Sequence, residues 1–346
     1  MTPDYTIVRP KDRAAWLEER KKGIGSSDAG TIMGVSPFMT PEKLWRLKKG
    51  LIPPKEETEY MRNGHYLELA VTEYFAATTN SVIDYSTEGD WLAVNNERPY
   101  LRVSPDRLFW PQGAERTPEN RLILELKSTY KLIDPDELPL YWVCQVQYQM
   151  GVMGIKYAAI AWITSTPRLT MGHAWIAFNP DFYKTLTDAI DKFWNVNILK
   201  NIEPDPIDED DAKLRWPVSS DSKLITADEQ DIENCQEYIR LLKEKEELEE
   251  RISRVTADIK IRMKDSEALI SVDPKTGHTE TIARFKSIKE NVFDEEAFRN
   301  SEPGEYVKYL KKSFDKQLLK EEDRTTFNKY SSQKPGARRF SVLLKE

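Results

Sequence analysis

Two hydrophobic periodicities alternate between residues 61 and 199, and this restricts the fold more than any other feature of the chain. Over 61–79, Tyr66, Leu69, Ala70, Glu73, Tyr74 and Ala77 recur at helical spacing. Short β-rich runs follow at 81–85, 91–94, 101–103 and 122–127, separated by Gly, Pro, Asn and charged residues. A helix opened by Pro139 is expected over 139–153, then strands over 156–164 and 171–178. An amphipathic helix is expected over 180–199, with Phe182, Leu186, Ile190, Phe193 and Trp194 on one side. Helices interleaved with short strands predict an α/β (α+β) domain, a small mixed sheet flanked by helices.

Within that sheet the run 122–127 has an unusual division of labour. Side chains alternate between the faces of a strand, so Leu122, Leu124 and Leu126 share a core face, while Ile123, Glu125 and Lys127 share the other. Taken alone, an acid and a lysine two residues apart are compatible with a solvated polar face. Upstream, Ser104-Pro105-Asp106 follows the 101–103 run, which places Asp106 in a turn beside the Glu125 strand. Two carboxylates so placed suit a hard divalent cation such as Mg²⁺. Lys127 would orient or deprotonate a water, or stabilise charge developing on a phosphate.

Three further stretches bear on this set. Glu68 lies in Gly64-His65-Tyr66-Leu67-Glu68 on the preceding helix, as a third carboxylate or a solvated one. Gln145, Gln147 and Gln149 stand in a mainly apolar helix; three alternate positions cannot share one helical face, and Gln145 is assigned to the site. After a helical start near Trp16, Leu17 and Arg20, residues Gly23 to Gly30 form a Gly/Ser-rich turn whose hydroxyls and amides would hold a phosphate. A short helix follows from Pro41 to Leu47.

The chain changes character at Glu203-Pro204-Asp205-Pro206-Ile207-Asp208-Glu209-Asp210-Asp211, where two prolines and an acidic run predict a linker over 205–225. This gives a first domain over 1–204 and a long amphipathic helix over 226–265, opened by a capping box at Thr226 and Glu229. Its apolar positions Leu241, Leu248, Ile252, Val255 and Ile259, interrupted by Lys245, suit either packing on a neighbouring element or a coiled coil. Residues 266–346 predict a small α+β module: a hairpin (269–272, turn 273–277, 279–285), helix near 294–320 and a strand over 339–344.

Composition limits the classes. Hydrophobic residues at 39% supply a core, and 32% charged residues with no bilayer-length apolar run argue against a membrane protein. The first residues show no secretory-signal pattern. The two cysteines, Cys144 and Cys235, exclude a four-cysteine iron–sulfur or zinc site and are read as reduced thiols. A net charge of −7 neither supports nor excludes a nucleic-acid substrate.

In chain order, Arg20…Gly25-Ser26-Ser27-Asp28…Gly34…Ser36-Pro37, Gly64-x-x-x-Glu68, Ser104-Pro105-Asp106, Glu125-x-Lys127 and Gln145-x-Gln147 resemble the phage λ exonuclease and YqaJ viral recombinase family over roughly residues 10–200. This family is a branch of the PD-(D/E)xK nucleases. The resemblance implies a restriction-endonuclease-like core and a Mg²⁺-dependent 5′→3′ exonuclease on double-stranded DNA ends, with Mn²⁺ as a substitute. It would leave 3′ overhangs for a single-strand annealing protein. Asp106, Glu125 and the Leu126 carbonyl would bind metal, with Glu68 on the side of a second ion. Lys127 would assist the attacking water and Gln145 would help to position it. Arg20 and Ser27 would hold DNA phosphates. Where the family usually has glycine after the motif aspartate, this chain has Arg107, a candidate DNA contact. The family also implies a homo-oligomer, in the ring-trimer style, in the cytoplasm of a bacterial host, from a phage or prophage. An internally cutting endonuclease, or a non-catalytic DNA-binding protein on the same fold, are the competing expectations.

Overall fold

The 122–127 run becomes the central strand of a five-stranded sheet in the computed structural model, which describes residues 4–53, 58–87, 91–165, 169–220, 223–287, 295–308 and 316–329. The chain divides into two compact units, Met1–Pro217 and Val218–Glu346. The first runs β1 (Tyr5–Val8), α1 (Arg13–Lys21), α2 (Ser26–Ile32), α3 (Pro41–Lys48), α4 (Glu59–Thr79), β2 (Val82–Ile83), β3 (Leu92–Asn95), β4 (Arg102–Val103), β5 (Arg107–Trp110) and β6 (Leu122–Thr129). It continues with α5 (Leu140–Met153), β7 (Tyr157–Thr164), β8 (Thr170–Ala177), α6 (Pro180–Lys192) and α7 (Glu209–Arg215). The main sheet has the order β2-β5-β6-β7-β8. Only its β6–β7 pair is parallel, Ile123 opposite Ala158 through Thr129 opposite Thr164, with α5 as the crossover. A second antiparallel sheet has the order β1-β3-β4.

The alternation along β6 is realised on both faces. Leu124 and Leu126 pack with Val71 and Phe75 of α4, with Phe109 of β5 and with Ala159, Ala161 and Ile163 of β7. Ile123 joins the larger core on the other side, with Trp142, Val146 and Met150 of α5 and with Ile160 and Trp162. A strand covered on both faces leaves little room for charge, yet Glu125 sits in it at 1% exposure. The cover over that face is tight. A Cβ on Gly30 of α2 would lie 2.8 Å from Cβ of Tyr141, so glycine permits the α2–α5 approach.

Four expectations are corrected. The Gly23–Gly30 turn ends at Gly25. Beyond it α2 is helical, with the Asp28 side chain accepting from the Gly25 N–H at 3.0 Å. Ser-Ser-Asp reads as a turn composition, but Asp at the third helical position also caps a helix start. Second, Asp106 stands in the expected turn beside the Glu125 strand, but the residues after it, for which no strand was expected, form β5, which pairs antiparallel with β6 (Arg107 opposite Leu124). Third, the acidic run is not a free linker. Asp208 caps α7, and fully buried Asp211 accepts from Thr40 Oγ1 at 2.6 Å and from the Ile207 N–H at 3.1 Å. Arg215 pairs with Glu42 at 3.2 Å and Glu203 at 3.3 Å. The acids found donors in the first unit, which runs to Pro217. Fourth, the cap of the long helix is Asp228 with Asp231, not Thr226 with Glu229, in keeping with the stronger capping preference of aspartate.

The second unit contains α8 (Glu229–Met263), the antiparallel hairpin β9 (Ala268–Val272) and β10 (Thr279–Arg284), and the short helices α9 (Glu295–Ser301), α10 (Pro303–Lys308), α11 (Lys316–Glu322) and α12 (Arg324–Lys329). The 339–344 strand lies outside the described residues. Among the described residues, no helix is long and apolar enough to cross a membrane.

Candidate active site

Antiparallel pairing of β5 with β6 carries Asp106 to the position beside Glu125. The Asp106 Oδ2 accepts from the Leu126 N–H at 2.7 Å, a bond that fixes the carboxyl against the strand. Burial, and then the charge of Glu125, push the Asp106 carboxyl well above the usual carboxylate range, against the pull of Lys127. Glu68 adds a smaller push in the same direction.

The Glu125 carboxylate is gripped at both oxygens. Oε1 accepts from Lys127 Nζ at 2.6 Å and from Gln145 Nε2 at 2.5 Å; Oε2 accepts from Gln149 Nε2 at 2.9 Å. Lys127 Nζ also donates to Gln145 Oε1 at 2.9 Å, which closes a ring of three side chains. Burial disfavours the Lys127 ammonium, but the charges of Glu125 and Asp106 outweigh it and raise its pKa. In this arrangement Lys127 is a cation and a hydrogen-bond donor rather than a base.

Gln149 is the site residue that sequence reasoning missed. It lies four residues after Gln145, hence on the same face of α5. That spacing was the available signal. Its Nε2 also donates to Ser26 Oγ at 3.3 Å, while its Oε1 is buried without a partner among the described residues. Gln147 instead points away and ties α5 to β8: its Nε2 donates to the Ala177 carbonyl at 2.8 Å, and its Oε1 accepts from the Asn179 N–H at 2.9 Å.

The neighbouring residue of Ser26 opens the phosphate candidates. Ser27 Oγ accepts from Arg20 Nη2 at 3.1 Å, and the Arg20 guanidinium lies 4.6 Å over the Trp16 ring. The structure therefore brings Arg20 and Ser27 together, one residue from the Gln149 contact. Below them Lys48 bridges Asp28 Oδ2 at 2.7 Å and the Gly23 carbonyl at 2.8 Å. Burial opposes ionisation of Asp28, but Lys48 and then Arg20 hold its carboxyl below the usual value. Arg107 is not part of this cluster. It pairs with Leu124 and leaves the sheet on the α4 side, and its Nη1 donates to the Asp106 carbonyl at 2.6 Å.

Glu68 stands on α4 and interacts with His65 Nδ1 at 2.9 Å. It lines a cleft of about 280 Å³ with Gly64, Leu126, Lys127 and Ser128. Among the described residues no three His, Cys, Asp or Glu side chains gather into a metal-holding group. The donor set that does converge is the Asp106–Glu125 pair. Two adjacent carboxylates repel unless a proton or a cation joins them, and the charge of Glu125 adds to burial in raising the Asp106 pKa. Hard oxygen donors of this kind fit a divalent ion.

These features define an α/β domain with an acid pair, a lysine and two glutamines against the central strand of a mixed sheet, in the order Pro105-Asp106…Glu125-x-Lys127. Residues 15–156 match the family model of the YqaJ-like viral recombinase domain. The chain is 28% identical over 268 residues to the uncharacterized protein YqaJ of Bacillus subtilis (strain 168), a match that covers 74% of this chain and 79% of that protein. Among solved structures, it is similar to the alkaline exonuclease LHK-Exo of Laribacter hongkongensis, with 14% identity and a TM-score of 0.40 over 54% of this chain and 95% of the other. It is also similar to a phage related exonuclease of Haemophilus somnus 129PT, with 13% identity and a TM-score of 0.37 over 52% of this chain and 96% of the other.

Proposed function

We propose that the protein is a Mg²⁺-dependent exonuclease that degrades one strand of duplex DNA from its 5′ end and leaves 3′ single-stranded overhangs for recombination. The observation that carries the reading is the convergence of Asp106, Glu125, Lys127 and Gln145 within hydrogen-bonding chains on one end of the sheet. The match of residues 15–156 to the YqaJ-like viral recombinase domain supports it.

Asp106, Glu125 and the Leu126 carbonyl would hold the ion, with Mn²⁺ as a substitute and Glu68 beside a second ion. When bound, such an ion supplies Lewis acidity at the scissile phosphate. The protein's own residues do the rest. Lys127 and Gln145 donate into the space in front of Glu125, where they orient the attacking water and offset charge on the phosphate as the P–O3′ bond breaks. Gln149 holds the second oxygen of Glu125, so that the carboxylate keeps one orientation. Arg20 and Ser27 grip a backbone phosphate, possession of which by a 5′ end would favour terminal cleavage, and Arg107 adds a cation on the α4 side. A single-strand annealing protein would receive the product strand. A homo-oligomer, in the ring-trimer style of the family, would retain the DNA between cycles in a bacterial cytoplasm.

The test compares a linear duplex labelled at either 5′ or 3′ ends with the same DNA as a supercoiled circle. In Mg²⁺ the expected result is early release of the 5′ label, late release of the 3′ label and an intact circle. Cutting of the circle at the linear rate would replace the exonuclease reading with an endonuclease one.

A further inference from the structure

The long helix α8 combines an apolar stripe with a segregation of charge that the proposed nuclease chemistry does not use. Leu241, Leu248, Ile252 and Val255 are 49%, 53%, 57% and 58% exposed, and Ile259 continues the stripe at 39%. Their steps of seven, four, three and four residues keep them on one side of the helix, the seam spacing of paired helices. A lone helix in water has no reason to hold branched aliphatic residues on one line for this distance; the helix spans about 52 Å at 1.5 Å per residue.

Charge along α8 changes sign near its midpoint. Residues 229–250 carry nine acidic against three basic side chains, and residues 251–263 carry four basic against one acidic. Part of the basic charge of the first half is already engaged within the helix, where Arg240 pairs with Glu237 at 2.6 Å and with Glu244 at 3.3 Å. Two copies laid parallel would set acid against acid and base against base. Laid antiparallel, each acidic half covers a basic half while the stripes meet along the middle. Such complementarity selects orientation and partner more than it adds affinity, and an antiparallel pair of identical helices is a closed two-fold contact.

We propose that the stripe of α8 is the contact surface for α8 of a second copy of this chain, in antiparallel orientation. The occupant is the same helix because the charge pattern is complementary to its own reverse.

The experiment uses the full chain and sedimentation equilibrium. The wild type is expected to associate through pairs at micromolar concentration, and Leu248→Asp with Ile252→Asp is expected to weaken that association at least 100-fold, with the helix content by circular dichroism unchanged. Two further variants read the charge pattern. One makes the second half acidic (Arg251→Glu, Arg254→Glu, Lys260→Glu); the other makes the first half basic (Glu244→Lys, Glu247→Lys, Glu250→Lys). Each alone is expected to lose self-association, and a one-to-one mixture is expected to recover it. A wild type whose association state equals that of the Leu248→Asp, Ile252→Asp variant, or charge variants that self-associate as the wild type does, would each overturn the proposal; an oligomer built on the first unit would persist in every variant and cancels in this comparison. Failure of the nuclease assay would leave these readouts unaffected.

Discussion

Replacing Gln149 by leucine separates positioning from stability at the candidate site. The side chain is fully buried and donates to Glu125 Oε2 at 2.9 Å, while its own Oε1 has no partner among the described residues. Loss of a hydrogen bond to a charged group costs about 1.5–3 kcal/mol, and removal of an unpartnered buried polar atom returns about 1–3 kcal/mol. The two nearly cancel, because leucine occupies similar volume. All nine tryptophans precede residue 217, so their fluorescence reports unfolding of the first unit alone. Gln149→Leu should shift that thermal midpoint by no more than about 4 °C, the equivalent of about 1 kcal/mol for a domain of this size. The orientation of Glu125 has no such compensation. If the lost bond is felt fully in the transition state, single-turnover cleavage falls about 10- to 150-fold at 1.36 kcal/mol per factor of ten. A variant that cleaves like wild type, or one that loses activity only in step with unfolding, would refute the reasoning.

Three other changes test the framework. Asp106 has a raised folded-state pKa, so between the ordinary carboxylate value and the raised one the folded chain keeps a proton that the unfolded chain has lost; stability falls as pH rises through that window. In chelator, Asp106→Asn should therefore be more stable than wild type in urea at pH 8, with the gap closing as pH falls to about 4 and below, where the unfolded chain takes up the proton as well. Asp211→Ala leaves the Thr40 hydroxyl and the Ile207 N–H without their buried acceptor, and should cost about 2–4 kcal/mol by urea titration. Gly30→Ala puts a methyl group 2.8 Å from Tyr141 Cβ and should cost about 1–3 kcal/mol by the same measurement.

The sheet and its two faces were legible because β6 obeys a period of two, and both sets of side chains found the partners their chemistry asks for. The acid–lysine pair was legible for the same reason: Glu125 and Lys127 share a face, and the structure joins them at 2.6 Å. What escaped was set by tertiary pairing. β5 has four residues and ends at Pro111, too short for its own pattern to announce it. The run 205–211 has a linker's composition, yet Thr40 and the residues around Glu42 supply the donors and counter-charges that make it structural. Gln149 was legible in principle at four residues from Gln145, but an apolar helix buried on most sides offers no amphipathic stripe to mark which glutamine faces the strand.

The central claim, that Lys127 and the acid pair form a hydrolytic site, is tested most directly by single-turnover digestion of a 5′-labelled linear duplex by wild type and Lys127→Ala, with DNA affinity measured in parallel. The account predicts rapid release in Mg²⁺ by the wild type, none in chelator, and none by Lys127→Ala even though its affinity for the duplex stays within a few-fold of wild type. Equal release by the variant, or by the wild type in chelator, would contradict it.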